Sequence, residues 1–358
     1  MNTSGSPSSV RARVLRGGGS LSKLFPKHTG EYAALLGVWL GLVLLFGLLS
    51  EHFLTASTFS TLANRIPVLA VVSVGMTFVL IVGGIDLSVG SVLALCGSVI
   101  GVAMVNWGWP FYAAVGLAMA VGVGAGAVNG AVSVLLRIPS FIVTLGMLEI
   151  ARGLAYQLTN SRTKYIGAAA EGLAAPIGPG GISAAFIIAM VVIVAGQILL
   201  VRTVFGRYLI GIGTNENAVR LAGINPGLPK IAVFALTGLL TGLGAAFFTS
   251  RMGAADPNAG VAFELAAIAA VVIGGTSLMG GRGSVVNTLF GVLIIATLEA
   301  GLAHVGAREP LKRIITGGVI VAAVILDAWR RRLPGGIFAW LPLVFIKGAS
   351  AGRTRAEE

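Results

Sequence analysis

Gly83-Gly84-Ile85-Asp86-Leu87-Ser88-Val89-Gly90-Ser91 interrupts an otherwise apolar stretch that runs from residue 62 to residue 105. Paired glycines stop a helix, and Asp86 or Ser88 can N-cap the helix that restarts behind them. An acid at that point also meets the positive end of the helix dipole. The apolar blocks on either side are each about 20 residues long, the length needed to cross about 30 Å of hydrocarbon. The break therefore reads as a turn between two membrane spans. One reading makes it a satisfied cap in a tight turn. The other makes it a device that sets polar groups beside a substrate path or gate.

Composition agrees with the membrane reading. Hydrophobic residues make up 56% of 358, charged residues 11%, and the mean hydropathy is +0.93. A soluble domain carries about 25% charged residues, so this chain cannot cover its own surface in water. Fifty-two glycines point the same way, because helices in lipid associate through small residues that let backbones approach. Gly122, Gly126 and Gly130 repeat every fourth residue, as do Gly238 and Gly242. Cys96 is the single cysteine, which excludes a disulfide framework, and the three histidines lie too far apart in sequence to suggest a metal site. No cleavage site follows the first apolar block, so that block is expected to stay in the membrane.

The pattern predicts an all-α integral membrane protein of about ten transmembrane helices in one bundle. The spans fall at 33–50, 62–83, 87–105, 111–136, 141–158, 182–201, 231–250, 262–279, 284–303 and 311–329. A basic tail (1–30) precedes the membrane domain (31–330), and a second tail (331–358) follows it. With the N-terminus in the cytoplasm, seventeen of the 25 basic residues fall on the inside and seven on the outside. Both termini are thus expected to be cytoplasmic. The net charge of +12 is then a topology signal and a match to anionic lipid, with no nucleic acid required.

A faint internal echo pairs Gly83-Gly84-Ile85-Asp86-Leu87 with Gly274-Gly275-Thr276-Ser277-Leu278, and Gly90-Ser91-Val92 with Gly283-Ser284-Val285. It needs a two-residue gap and carries little weight by itself.

Residues 83–91, together with Pro139-Ser140-Phe141-Ile142-Val143-Thr144-Leu145-Gly146 and Ala151-Arg152-Gly153, resemble the permeases of the bacterial ribose, xylose, arabinose and galactose ABC importers. Thr203-Val204-Phe205-Gly206-Arg207, the run from Gly213 to Ile224, and Gly274 to Ser284 fit the same family in the same order. The resemblance implies two permease copies or paralogues, a cytoplasmic ABC ATPase, and a periplasmic or lipid-anchored sugar-binding protein, in a bacterial inner (cytoplasmic) membrane. It makes 202–230 the loop that couples to the ATPase, through Arg207, Glu216, Asn217, Ala218, Arg220 and Gly223. Glu216 to Arg220 suit a short polar helix closed by Gly223. Many such permeases carry Glu-Ala-Ala with a glycine six residues after the Glu; here the run is Glu216-Asn217-Ala218 and Gly223 is seven residues on.

Charges inside spans are costly in lipid and are functional candidates by default. Glu149 and Arg152 are three apart and are expected to pair on one helix. Glu299 has no local partner and is expected to face the bundle or a wet path. Asp327 reads as an interfacial pair with Arg330 and Arg331. The candidates for a substrate path or gate are Asn64, Asp86, Ser88, Asn129, Thr144, Arg152 and Glu299. Helix-to-helix hydrogen bonding competes with a substrate role for Asn64 and Asn129.

No phosphate-binding loop, nucleophile elbow or closely spaced histidine pair occurs, so no cofactor or catalytic centre is expected on this chain and ATP belongs to a partner. The rivals are a permease for nucleosides or branched-chain amino acids, an ion-coupled transporter and, furthest away, a membrane enzyme.

Overall fold

The computed structural model describes residues 29–177 and 181–332. Most of the two expected tails lies outside this range. The side chains of Asp327, Arg330 and Arg331 also lie outside the described residues, and with them the ion pair expected there.

The chain is a bundle of helices: α1 (Thr29–Leu49), α2 (Ala56–Ile81), α3 (Val89–Val105), α4 (Phe111–Leu135), α5 (Ser140–Thr159), α6 (Ala184–Arg202), α7 (Val204–Leu221), α8 (Gly227–Met252), α9 (Phe263–Ile273), α10 (Val285–His304) and α11 (Glu309–Arg332). Seven of them, α1, α2, α4, α5, α6, α8 and α10, are long and apolar enough to cross a membrane. The shorter apolar helices α3 and α9 follow interrupted backbone, and α11 carries charge at both ends. A helix stands in each of the ten expected segments. The eighth is shorter than expected: α9 ends at Ile273, and 274–284 is non-helical. Two short antiparallel pairings also occur. Lys164–Tyr165 pairs with Ala254–Ala255, and Pro176–Ile177 with Ile182–Ser183.

Helix α2 is the centre. From Ile66 to Ile81 every residue is buried, wrapped by α6, α8, α9 and α10. A hydrogen bond between Thr77 and Thr288, 2.8 Å apart, joins it to α10. Such an interhelical bond in a membrane is worth about 0.6 kcal/mol.

The glycine spacing explains the tightest interface. Helices α4 and α8 cross where Gly122, Gly126 and Gly130 meet Gly238, Phe234 and Ile231. A Cβ at Gly122 would fall on the Gly238 carbonyl, and one at Gly126 on the Phe234 carbonyl. The two helices are therefore in backbone contact, which only glycine permits. By contrast, α1 lies on the rim with Leu36, Leu40, Leu44 and Leu48 exposed, held in part by the Trp39 indole donating to Thr297 at 3.0 Å.

Candidate translocation and coupling site

The first break is built as the sequence suggests at its helix end. Gly83 takes a left-handed φ of 76°, and the amides of Gly83 and Gly84 return to the carbonyls of Leu80 and Val79. These bonds satisfy the last turn of α2. Residues 84–88 then run without helix, which exposes backbone polar groups inside an apolar bundle. Side chains of α5 answer them. Ser140 Oγ accepts from the Ile85 amide at 2.9 Å, and Thr144 Oγ1 accepts from Leu87 at 3.1 Å while donating to the Ile85 carbonyl. Irregular backbone at membrane depth needs such partners. Thr144 is fully buried and holds this segment rather than facing open space.

Asp86, Ser88 and Asn129 come together beside it. Ser88 donates both its amide (2.9 Å) and its hydroxyl (2.6 Å) to Asp86 Oδ1, and Asn129 Nδ2 donates to Ser88 Oγ at 3.0 Å. Ser88 occupies the N-cap position of α3 without forming a side-chain cap, so Asp86 organises the restart of the helix. All three are buried, and the carbonyl oxygen of Asn129 has no partner. They line a narrow crevice with Gly126, Gly238 and Thr241.

The second break repeats the first. Gly275, with φ 84°, and Thr276 return their amides to Val272 and Val271, the same pattern as Gly83 and Gly84 after α2. The sequence echo pairs Gly83 with Gly274; the structure pairs Gly83 with Gly275, because that residue takes the left-handed conformation. Ser284 then caps α10, accepting from Asn287 at 3.3 Å, and Gln197 of α6 accepts from the Val285 and Val286 amides. Gln197 is a positioning residue that the sequence did not advertise.

The two breaks touch. Gly281 N donates to Ile81 O at 2.9 Å, and α7 seats on the same spot, where a Cβ at Gly213 would strike Ile81 O and Gly281 N. Helix α7 is longer than the short polar helix expected. Its first part buries Gly206, Leu209 and Ile212, and a kink at Asn215 separates the polar part. Asn215 Oδ1 accepts from the Ala218 amide at 3.0 Å, an N-cap for the second part. Gly223, at φ 80°, closes it with its amide on Arg220 O. Glu216 pairs with Arg220 at 2.8 Å and with Lys230. Burial pushes the Glu216 carboxyl up, but the bonds and charges of Lys230 and Arg220 outweigh it and hold it below the usual glutamate value. Arg207, Asn217, Ala218, Arg220 and Gly223 are exposed, and so are Leu221 (90%) and Leu228 (70%).

The remaining candidates lie elsewhere. Asn64 spends its amide on a loop, donating to Gly181 O at 2.9 Å and accepting from Ser183 N at 3.0 Å. Glu299 is exposed near Arg65, Glu309 and Lys312. The expected Glu149–Arg152 pair does not form. Arg152 turns to the loop between Ala255 and α9, where its Nη1 donates to Pro257 O (2.6 Å) and Ala259 O (2.8 Å). Two acceptors in fixed positions outcompete one flexible carboxylate. That loop and Glu264, which packs against Gly90, went unnoticed in the sequence.

A helical bundle with capped breaks inside its spans defines a multi-pass membrane permease. The chain belongs to the family described as the branched-chain amino acid transport system permease component, whose profile matches residues 58–324. It is 37% identical over 290 residues to the ribose import permease protein of Haemophilus influenzae, covering 80% of this chain and 90% of that one. It is 38% identical over 293 residues to the corresponding protein of Escherichia coli K12, again covering 80% and 90%. With the D-allose permease protein of that organism it shares 34% identity over 296 residues, 80% of this chain and 88% of the other. No solved structure matches the chain. The resemblance to sugar ABC permeases read from the motifs is borne out by these relatives.

Proposed function

We propose that the chain is the membrane-spanning permease subunit of an ATP-driven importer, moving a monosaccharide inward across a bacterial inner (cytoplasmic) membrane by alternating access. ATP is hydrolysed on a separate cytoplasmic ABC ATPase, a periplasmic or lipid-anchored binding protein delivers the sugar, and a second permease copy or paralogue completes the path. Support for the sugar comes from relatives named for ribose and allose. The family's description favours a branched-chain amino acid instead, but it is broader than those relatives.

The observation that carries the ATP-driven reading is α7. Its Gly213 rests on both breaks, its last residue Leu221 is exposed, and so is Leu228 in the first turn of α8, beside a Glu216 network that fixes the polar turn. An exposed apolar tip on a rigid polar helix suits a groove on a partner protein. The basic asymmetry supports a cytoplasmic side for α7 and both termini, where an ATPase would dock. Asp86, Ser88 and Asn129 are assigned to the moving break, and Arg207, Glu216, Asn217, Ala218, Arg220 and Gly223 to coupling.

Sugar uptake by cells expressing the complete importer tests this. Uptake should survive collapse of the ion gradients by an ionophore and stop when ATP is depleted. The opposite pattern would make the chain an ion-coupled transporter.

A further inference from the structure

Glu149 is the tenth residue of the 20-residue helix α5, so it stands about 15 Å from either end at about 1.5 Å per residue. Its side chain is exposed, and among the described residues it has no hydrogen-bond or ion-pair partner. A carboxylate at mid-span on an outer face is not sustained by lipid; such residues face water or a partner. Its surroundings on the helix are equally unlike a lipid face. Ala151, Ala155, Thr144 and Thr159 form the buried side of α5, and Glu149 points away from it. Gly146 and Gly153 flank it with open space where a Cβ would stand. One and two turns toward the Thr159 end, the same side carries Arg152 and Tyr156. Arg152 fastens the loop before α9 by two backbone carbonyls, and Tyr156 Oη donates to Asn258 Oδ1 at 2.8 Å. Asn258 is exposed and its amide and backbone N–H both bond Asp256 Oδ1. Non-helical backbone is tolerated within a membrane protein where it lines a cavity.

We infer that this side of α5, with the tip of the loop at Asn258, is the sugar-contacting surface of the path, and that the Glu149 carboxylate accepts hydrogen bonds from substrate hydroxyls. The inference rests on the sugar-import reading above. The chemistry fits an uncharged polyol: an acceptor with two oxygens at Glu149, a phenol and amide at Tyr156 and Asn258, and glycine gaps that let a bulky ring approach. Arg152 is not a ligand in this scheme. Its Nη1 holds the Pro257 and Ala259 carbonyls, and it positions the loop.

The test uses the complete importer in proteoliposomes, with D-ribose, D-allose, D-fructose and D-xylose as probes. Glu149→Leu, which lipid would favour, should reduce uptake of the transported sugar about tenfold or more, the loss expected for a hydrogen bond to a charged acceptor. Membrane level and association of the permease copies should stay unchanged. Glu149→Gln should keep part of the rate and alter the ranking of the four sugars. In a Cys96→Ala background, Glu149→Cys should react with a hydrophilic, membrane-impermeant maleimide. Wild-type uptake in Glu149→Leu, an unreactive cysteine, or loss of uptake explained by loss of copy-to-copy association would each overturn the inference. If the unaltered importer carries none of these sugars, the sugar-import reading fails and the inference falls with it.

Discussion

Gly281 donates its amide to the carbonyl of Ile81 across 2.9 Å, so the break after α2 and the break after α9 are one hydrogen-bonded unit, with Gly213 of α7 pressed onto it. Close-packed elements do not deform continuously; they move together or jump between packings. A displacement of α7 therefore reaches both breaks at once.

Gly213→Val places a side chain where the Ile81 carbonyl and Gly281 amide now sit. Overpacking of this kind costs about 1–3 kcal/mol. The expected outcome is a fall in sugar imported per ATP hydrolysed, at normal membrane level. Gly211→Val, whose Cβ meets only the Val219 side chain, is the control and should keep the ratio. Equal ratios in both variants would mean that α7 does not drive the breaks.

The α4–α8 contact predicts a sharp contrast among glycines on one helix. Gly126→Leu forces the backbones of α4 and α8 apart, whereas Gly124→Leu meets nothing within 4 Å. The first should lower the melting temperature in detergent by an amount matching about 1–3 kcal/mol. The second should leave it unchanged. Similar melting of the two would contradict the interface.

Asp86 accepts two bonds from Ser88 through Oδ1 alone and makes no ion pair among the described residues. Asparagine presents an oxygen in the same place. Asp86→Asn is therefore expected to retain uptake normalised to membrane level. Asp86→Ala leaves buried donors unpaired, at about 1–3 kcal/mol, and should lose it. Loss in both would show that the negative charge itself is needed.

Much of this architecture was legible because membrane helices write themselves plainly. Apolar blocks marked the helices, and glycines at every fourth residue marked the faces of α4 and α8 that meet. Gly83 and Gly84 announced the first break through residue types that only a helix end requires. The second break was shifted by one residue in the sequence comparison, since Gly274 and Gly275 are equally able to take the left-handed conformation and only packing chooses Gly275. The partner of Arg152 was hidden for a different reason. Its acceptors are backbone carbonyls of Pro257 and Ala259, and every residue has a carbonyl, so nothing in the sequence distinguishes them from the nearby Glu149. Gln197 was missed likewise, because its targets are backbone amides at the start of α10.

The most direct measurement is sugar uptake into right-side-out membrane vesicles holding the permease together with the proposed ATPase and binding protein. ATP is supplied either inside the vesicle or only outside. The account predicts accumulation of a monosaccharide when ATP is on the inner side, where the account docks the ATPase on α7, and none when it is outside. Accumulation without internal ATP, or none with it, would contradict the account.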